Sequence, residues 1–243
     1  MSGVAVTWLG HATVLLELAG TRLLTDSLLR GRVAHLRRRV PPPAPPGRLD
    51  AVLVSHLHRD HLDLPSLRGL DAGVVIVPRG GARVVRGLSH EIVELAAGDE
   101  LAVRGVSVRA VEALHDGRRS PVGRPADAIG FIVAQSLRIY FAGDTELFDA
   151  MAGFAPLDVA LLPVAGWGPR LGPGHMDAEQ AAAAAALLRP DLAVPIHWGT
   201  LAAPALRRGD PDEPPRRFRA RCAVLAPTTR VELLRPGESL ALA

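Results

Sequence analysis

Ser55-His56-Leu57-His58-Arg59-Asp60-His61 follows directly on the apolar run Ala51-Val52-Leu53-Val54, and the reading of this stretch decides the fold. It carries the pattern His-x-His-x-Asp-His. The apolar run reads as a strand, so His56 and His58, two apart at its exit, can point to one side. Asp60 and His61, in the turn beyond, then face a second point nearby. Imidazole nitrogen and carboxylate oxygen suit zinc, and also manganese or iron, without any thiolate. In a chain with 9 histidines, four such matches in one seven-residue frame arise by chance roughly once per thousand chains of this composition.

Four residues do not complete two metal sites, so further ligands have to come from the ends of other strands. His115 follows an apolar stretch at 106–111, Gly143-Asp144-Thr145 follows one at 138–141, and His197 follows one at 192–196. All three sit where a strand hands over to a loop, which lets side chains converge at one rim of a layered α/β structure.

Outward from this centre, strands at 4–9, 13–18 and 22–25 read as a β-meander, its first turn made by Gly10-His11. An irregular segment follows, with Arg37-Arg38-Arg39 as a solvated face and residues 41–46, five of them proline, as a stiff exposed loop. Strands are then expected at 74–77, 92–95, 101–103, 106–111, 129–134, 138–141, 159–163 and 192–196, with a helix at 81–88. Gly80-Gly81 lacks the surroundings of a phosphate loop and reads as the start of that helix. An alanine-rich helix is capped by Asp177 with Gln180 three residues on, and Pro190 stops it. An arginine-rich stretch at 207–221 and a closing β-hairpin complete a mixed α/β chain, expected to form one domain over 1–243.

Composition bounds the partners. Of 243 residues, 48% are hydrophobic, ample for a sizeable core. No stretch approaches the roughly 18 apolar residues of a membrane helix. The opening residues show no cationic leader, and Cys222 is the sole cysteine, so a small buried thiol and a cytoplasmic setting are expected. The calculated pI is 10.2, yet the formal charge is only +3. With no lysine and a single tyrosine, few groups release a proton between neutrality and about pH 10, so a slight excess of arginine holds the pI high. A polycation for nucleic acid is not indicated.

The order of histidines and aspartates resembles the metallo-β-lactamase superfamily over residues 4–200. Trp8-Leu9-Gly10-His11-Ala12-Thr13, Gly143-Asp144-Thr145, Gly174-His175-Met176-Asp177 and Pro195-Ile196-His197-Trp198-Gly199-Thr200 resemble the branch containing L-ascorbate-6-phosphate lactonase and N-acylphosphatidylethanolamine phospholipase D. The resemblance implies a four-layer αββα sandwich with metals at one edge. It places His56, His58 and His115 on one metal, Asp60, His61 and His197 on the other, and Asp144 between them. It further implies two divalent ions, zinc foremost, and hydrolysis of a small molecule by a metal-bound hydroxide, on a phosphodiester or a (phosphorylated) lactone. A proline commonly follows the aspartate of the segment resembling Thr25-Asp26, where this chain has Ser27; Asp26 is read as an acceptor behind a metal ligand or as a cap.

His11, at the hairpin tip, and Trp167 and His175, in a loop rich in glycine and proline, are read as lining the substrate space, with His175 and Asp60 as catalytic residues. His35 and His90 have no partner pattern and are read as exposed structural residues. Arg118, Arg119, Arg124 and Arg170 could grip a phosphate through their planar fork or simply face solvent. Two alternatives remain. A nuclease resembling ribonuclease Z would need an inserted arm, but two strands already occupy the 29 residues from His115 to Asp144, and stacking aromatics are few. A non-catalytic metal-binding module is disfavoured by retention of all seven ligands.

Overall fold

Apolar side chains alternate along stretches bounded by glycine and polar turns, and such stretches pair as strands with both faces covered. The computed structural model describes residues 3–168, 171–203 and 209–242. The meander is β1 (Val4–Gly10), β2 (Thr13–Leu18) and β3 (Thr21–Thr25). Short strands β4 (Arg32–Val33) and β5 (Leu36–Arg38) precede β6 (Leu49–Leu53), helix α1 (Leu64–Arg68), β7 (Ala72–Pro78), helix α2 (Ala82–Val85) and β8 (Glu91–Leu95). The chain continues as β9 (Glu100–Val103), β10 (Val106–Glu112), β11 (Ile129–Ala134), β12 (Arg138–Phe141), β13 (Leu157–Pro163), α3 (Ala178–Leu188) and β14 (Pro190–Ile196). It ends with β15 (Leu201–Ala202), α4 (Glu213–Leu225), β16 (Arg230–Val231) and β17 (Ser239–Leu242).

Two seven-stranded sheets result, ordered β17-β1-β2-β3-β6-β7-β8 and β16-β14-β13-β12-β11-β10-β9. Period-two alternation stacks them. Ala51, Leu53 and Ile76 point into the core shared with the second sheet, while Val52, Val75 and Val77 point outward, under Leu67 of α1 and Val85 of α2. The second sheet is covered by α3 and α4, through Ala181, Ala185, Leu188, Phe218 and Cys222. The expected αββα layering is therefore present. A small sheet, β15-β5-β4, has its own apolar cluster of Leu28, Val33, Leu36, Leu201 and Ala203, against which Trp167 packs.

Some local expectations need correction. Segment 32–38 is not irregular, because β5 pairs with both β4 and β15. Nor is the arginine triplet wholly solvated: the Arg38 guanidinium donates to the carbonyls of Leu28 and Leu9, and burial pushes its pKa down to about 10. Much of stretch 207–221 forms α4, whose first turn accepts Pro214 because a proline there forfeits no helical hydrogen bond; residues 207 and 208 lie outside the described residues. The last two strands form no hairpin. β16 pairs with β14 in one sheet and β17 with β1 in the other. The helix at 81–88 shrinks to α2, and Pro190 opens β14 after Arg189 has ended α3 in a left-handed conformation. The capping box on α3 forms as read, with Asp177 accepting from the Glu179 and Gln180 amides.

Candidate metal centre

The C-terminal ends of β6, β10, β12 and β14 meet at one rim and deliver the residues 56–61, His115, Asp144 and His197. Parallel pairing of β12, β13 and β14 aligns those exits. Two glycines permit the close approach. Gly143 has φ +62°, and a Cβ there would lie 2.6 Å from the Ser55 Cβ; Gly174 has φ +80°, and a Cβ would lie 2.5 Å from His115 Nδ1.

The side chains fall into overlapping groups whose donor atoms lie within 4.8 Å of one another: His56, His58 and His115; His11, Asp60, His61 and His197; and His115, Asp144 and His175. All seven residues singled out as ligands are brought together. His56 Nε2 and His115 Nε2 stand 3.0 and 3.1 Å from His58 Nδ1, and His61 Nε2 stands 3.2 Å from His197 Nε2. Asp144 Oδ2 is 3.1 Å from His61 Nε2.

The outward ring nitrogens show which atoms face inward. His115 Nδ1 donates to the Gly174 carbonyl at 2.8 Å, His197 Nδ1 to the Ala165 carbonyl at 2.7 Å, and His61 Nδ1 to Asp26 Oδ2 at 2.7 Å. The Ser55 hydroxyl spends its proton on Asp26 Oδ2 at 2.6 Å and so accepts from His56 Nδ1 at 3.0 Å. As neutral rings His56, His115 and His197 turn an Nε2 lone pair inward, and His61 does so once its second proton has left. Asp144 Oδ1 is likewise buried without a donor: the His197 Nε2 atom 3.2 Å away carries no proton in this tautomer. Clustered inward lone pairs and an orphaned carboxylate oxygen fit a divalent cation, and they are costly without one.

Electrostatics agree. Burial pushes His115 down to about 4 and His197 down to about 3, despite the opposing pull of Asp144, so both present lone pairs at neutral pH. His61 behaves oppositely. Burial would lower its pKa, but the Asp144 and Asp26 carboxylates on either side raise it well above the usual histidine value. Those two carboxylates thus favour a second proton on His61 until a cation displaces it.

Around this centre, Asp26 is fully buried and accepts from the Ser55 amide, the Ser55 hydroxyl and His61, which makes it an acceptor behind the ligands and not a helix cap. His11 is 2% exposed and reaches Asp60 Oδ2 at 3.2 Å. It is not among the cleft-lining residues, and the side-chain hydrogen bond it makes is with Asp60. His175 Nδ1 donates to the carbonyls of Gly172 and Pro173, and its Nε2 lies 3.3 Å from Asp144 Oδ2. His175 and Trp167 do line the cleft beside the centre, which measures about 300 Å³.

His35, read from the sequence as an exposed structural residue, and Arg59, which that reading passed over, also line the cleft, with His35 set edge-on to Trp167 at 5.2 Å. Both are exposed loop residues, and no periodicity or motif marks them. His90 bonds the Leu70 carbonyl, away from the centre. Of the four arginines considered for phosphate, Arg118 pairs with Asp116, Arg124 does not line the cleft, Arg170 lies outside the described residues, and Arg119 lines the cleft while its Nη1 donates to the Leu57 and Leu62 carbonyls. No helix among the described residues is long and apolar enough to cross a membrane.

Comparison with known proteins agrees with this geometry. A metal-dependent hydrolase of Pyrococcus furiosus is 34% identical, covering 98% of this chain and 100% of its own. A protein of Mycobacterium tuberculosis (strain ATCC 25618 / H37Rv) is 33% identical over 87% of this chain, which spans only 63% of that relative's length. A solved metallo hydrolase from Ignicoccus hospitalis, 24% identical, superposes with a TM-score of 0.74 over 100% of this chain and 99% of its own, and shows the same fold. The family model described as the β-lactamase superfamily domain matches residues 21–198, and the chain belongs to that family, within the metallo-β-lactamase superfamily.

Proposed function

We propose that this chain is a metal-dependent hydrolase whose residues 1–243 act as one domain holding two divalent cations. His56, His58 and His115 would hold one and Asp60, His61 and His197 the other, with Asp144 reaching both. The observation that carries this reading is the convergence of seven donors, four of them imidazoles whose Nδ1 protons are turned outward onto fixed acceptors. The donor set suits zinc, and manganese or iron as well. When bound, the metal pair supplies Lewis acidity that brings a coordinated water toward neutral pKa and screens charge building on the substrate.

The chain's own residues do the rest. Asp26 and the carbonyls of Gly174 and Ala165 fix the ligand rings; Trp167 offers an apolar wall. His175, its Nδ1 tied to two carbonyls, keeps Nε2 at the centre to protonate the departing oxygen, a role worth roughly 10²–10⁴ in rate. The cleft of about 300 Å³ suits a small molecule better than a nucleic-acid strand. A phosphodiester or a phosphorylated lactone is the substrate class favoured. The names of relatives such as the Pyrococcus furiosus metal-dependent hydrolase support the reaction type.

Metal analysis joined to a hydrolysis panel tests the reading, with an aryl phosphodiester, an acyl lactone, a sugar-phosphate lactone, a thioester and a cephalosporin. Two equivalents of metal and turnover of the phosphodiester or a lactone are expected; metal-loaded protein inert on every member would overturn it. His175→Ala should keep both metals and its melting temperature while losing turnover, most severely on poor leaving groups. Loss of stability at unchanged turnover per folded molecule would make His175 scaffolding.

A further inference from the structure

The cleft beside the metal centre has two unlike walls. Val33, Leu36 and Trp167 form an apolar side, and Arg59 and Arg119 enter from another. Among the described residues its only carboxylates are Asp60 and Asp144, both assigned above to metal, so none of the described acids is left to face a substrate. The nearby acids are spent as well. Asp63 is bonded to Arg30 and Ser66, and Asp116 to Arg118.

Arg119 is pre-positioned. Its Nη1 donates to the carbonyls of Leu57 and Leu62, on either side of the ligand-bearing turn, and its remaining N–H groups have no hydrogen-bond partner among the described residues. Arg59 sits between two ligands, His58 and Asp60, is exposed, and has no hydrogen-bond or ion-pair partner among the described residues. Both guanidinium groups border the same cleft, and after burial the charge of Arg59 is the next influence lowering the Arg119 pKa. Like charges held together at a cleft wall are stabilised by an oxyanion that both can bond.

On the hydrolase reading above, we propose that Arg59 and Arg119 form a subsite for an anionic substituent of the substrate, separate from the scissile bond. The substrate is then an anionic amphiphile: a phosphate or carboxylate on the two guanidinium groups, an apolar portion on Trp167 and Val33, and the cleavable bond at the metals.

The test uses the metal-loaded protein and two chromogenic esters of similar size, p-nitrophenyl butyrate, which is neutral, and mono-p-nitrophenyl glutarate, which carries a remote carboxylate. Wild type should favour the glutarate by about tenfold or more in kcat/KM, through KM, and the preference should shrink as salt rises. Arg59→Glu should abolish or invert the preference, and Arg59→Lys should keep part of it. Equal kcat/KM on the two esters, or equal loss on both in Arg59→Glu, would overturn the subsite. Calorimetric binding of the matching anilides, butyranilide and glutaric acid monoanilide, separates the two readings. Tighter binding of the monoanilide that disappears in Arg59→Glu supports the subsite even if neither ester is turned over, an outcome that counts against the hydrolase reading instead. Monoanilide binding that is indifferent to Arg59→Glu places the carboxylate elsewhere and removes the proposal.

Discussion

Protons and divalent cations compete for the same side chains at the rim. His61 sits between Asp26 and Asp144, 2.7 and 3.1 Å away, and these two carboxylates raise its pKa well above the usual histidine value, which favours the protonated ring while no cation is bound. A cation drawing on His61 Nε2 must expel that proton. Because the pKa is raised, the penalty is full below it and vanishes above it, so metal affinity should climb with pH, by up to about tenfold per unit for each proton released. Calorimetric titration of zinc in buffers of different ionisation enthalpy, from about pH 6 to about pH 8, reads both quantities. A flat affinity with no proton release would contradict the placement of His61. The residues behind the ligands matter for the same reason. Asp26 neither touches a substrate nor faces the cleft, yet it decides which nitrogen of His61 is free.

At the scale of elements, the five-residue helix α1 shows how a short segment is held by its cap. Asp63 accepts from the Ser66 amide and hydroxyl and pairs with Arg30. Burial would raise its pKa, but Arg30 and Ser66 outweigh that and hold it below the usual carboxylate value. A depressed folded pKa contributes stability that is present above the unfolded value and is lost as pH falls through the folded one. Asp63→Ala should therefore cost about 0.5–2 kcal/mol at neutral pH, with the difference from wild type narrowing below about pH 4. Chemical denaturation of both proteins across that range checks it, and a gap that widens in acid would exclude the paired carboxylate as its source. Neither α1 nor α4 was legible beforehand. A five-residue helix is too short to show a period, and α4 opens on prolines, is rich in arginine, and buries little beyond Pro215, Phe218 and Cys222.

Across the whole molecule, the first hairpin and the last ligand are fastened together. The His11 carbonyl accepts from the His197 amide at 2.9 Å and from Trp8 Nε1 at 2.8 Å, and the His11 amide donates to Thr200 Oγ1 at 2.8 Å. Trp8 and Trp198 pack with ring centroids 4.9 Å apart. The turn of one sheet thereby positions the metal-facing loop of the other. Thr200→Val keeps the shape but leaves the buried His11 amide without an acceptor, and should cost about 1–3 kcal/mol and weaken metal binding through His197. Thermal unfolding and metal titration of this variant measure the two effects; unchanged values for both would show that the fastening is dispensable. The seven ligand candidates were legible in the sequence because donor chemistry and a place at a strand exit are local properties, each read from a residue and the apolar strand just before it. The mixed α/β make-up was legible for a similar reason, since period-two burial is written along each strand, whereas the αββα layering was expected only from the resemblance. Which nitrogen of each histidine faces inward, which sheet receives β16 or β17, and why His35 and Arg59 border the cleft were decided only by tertiary structure. Those outcomes depend on carbonyls, carboxylates and cluster contacts supplied by distant segments, and no local pattern encodes a partner that folding alone brings within reach.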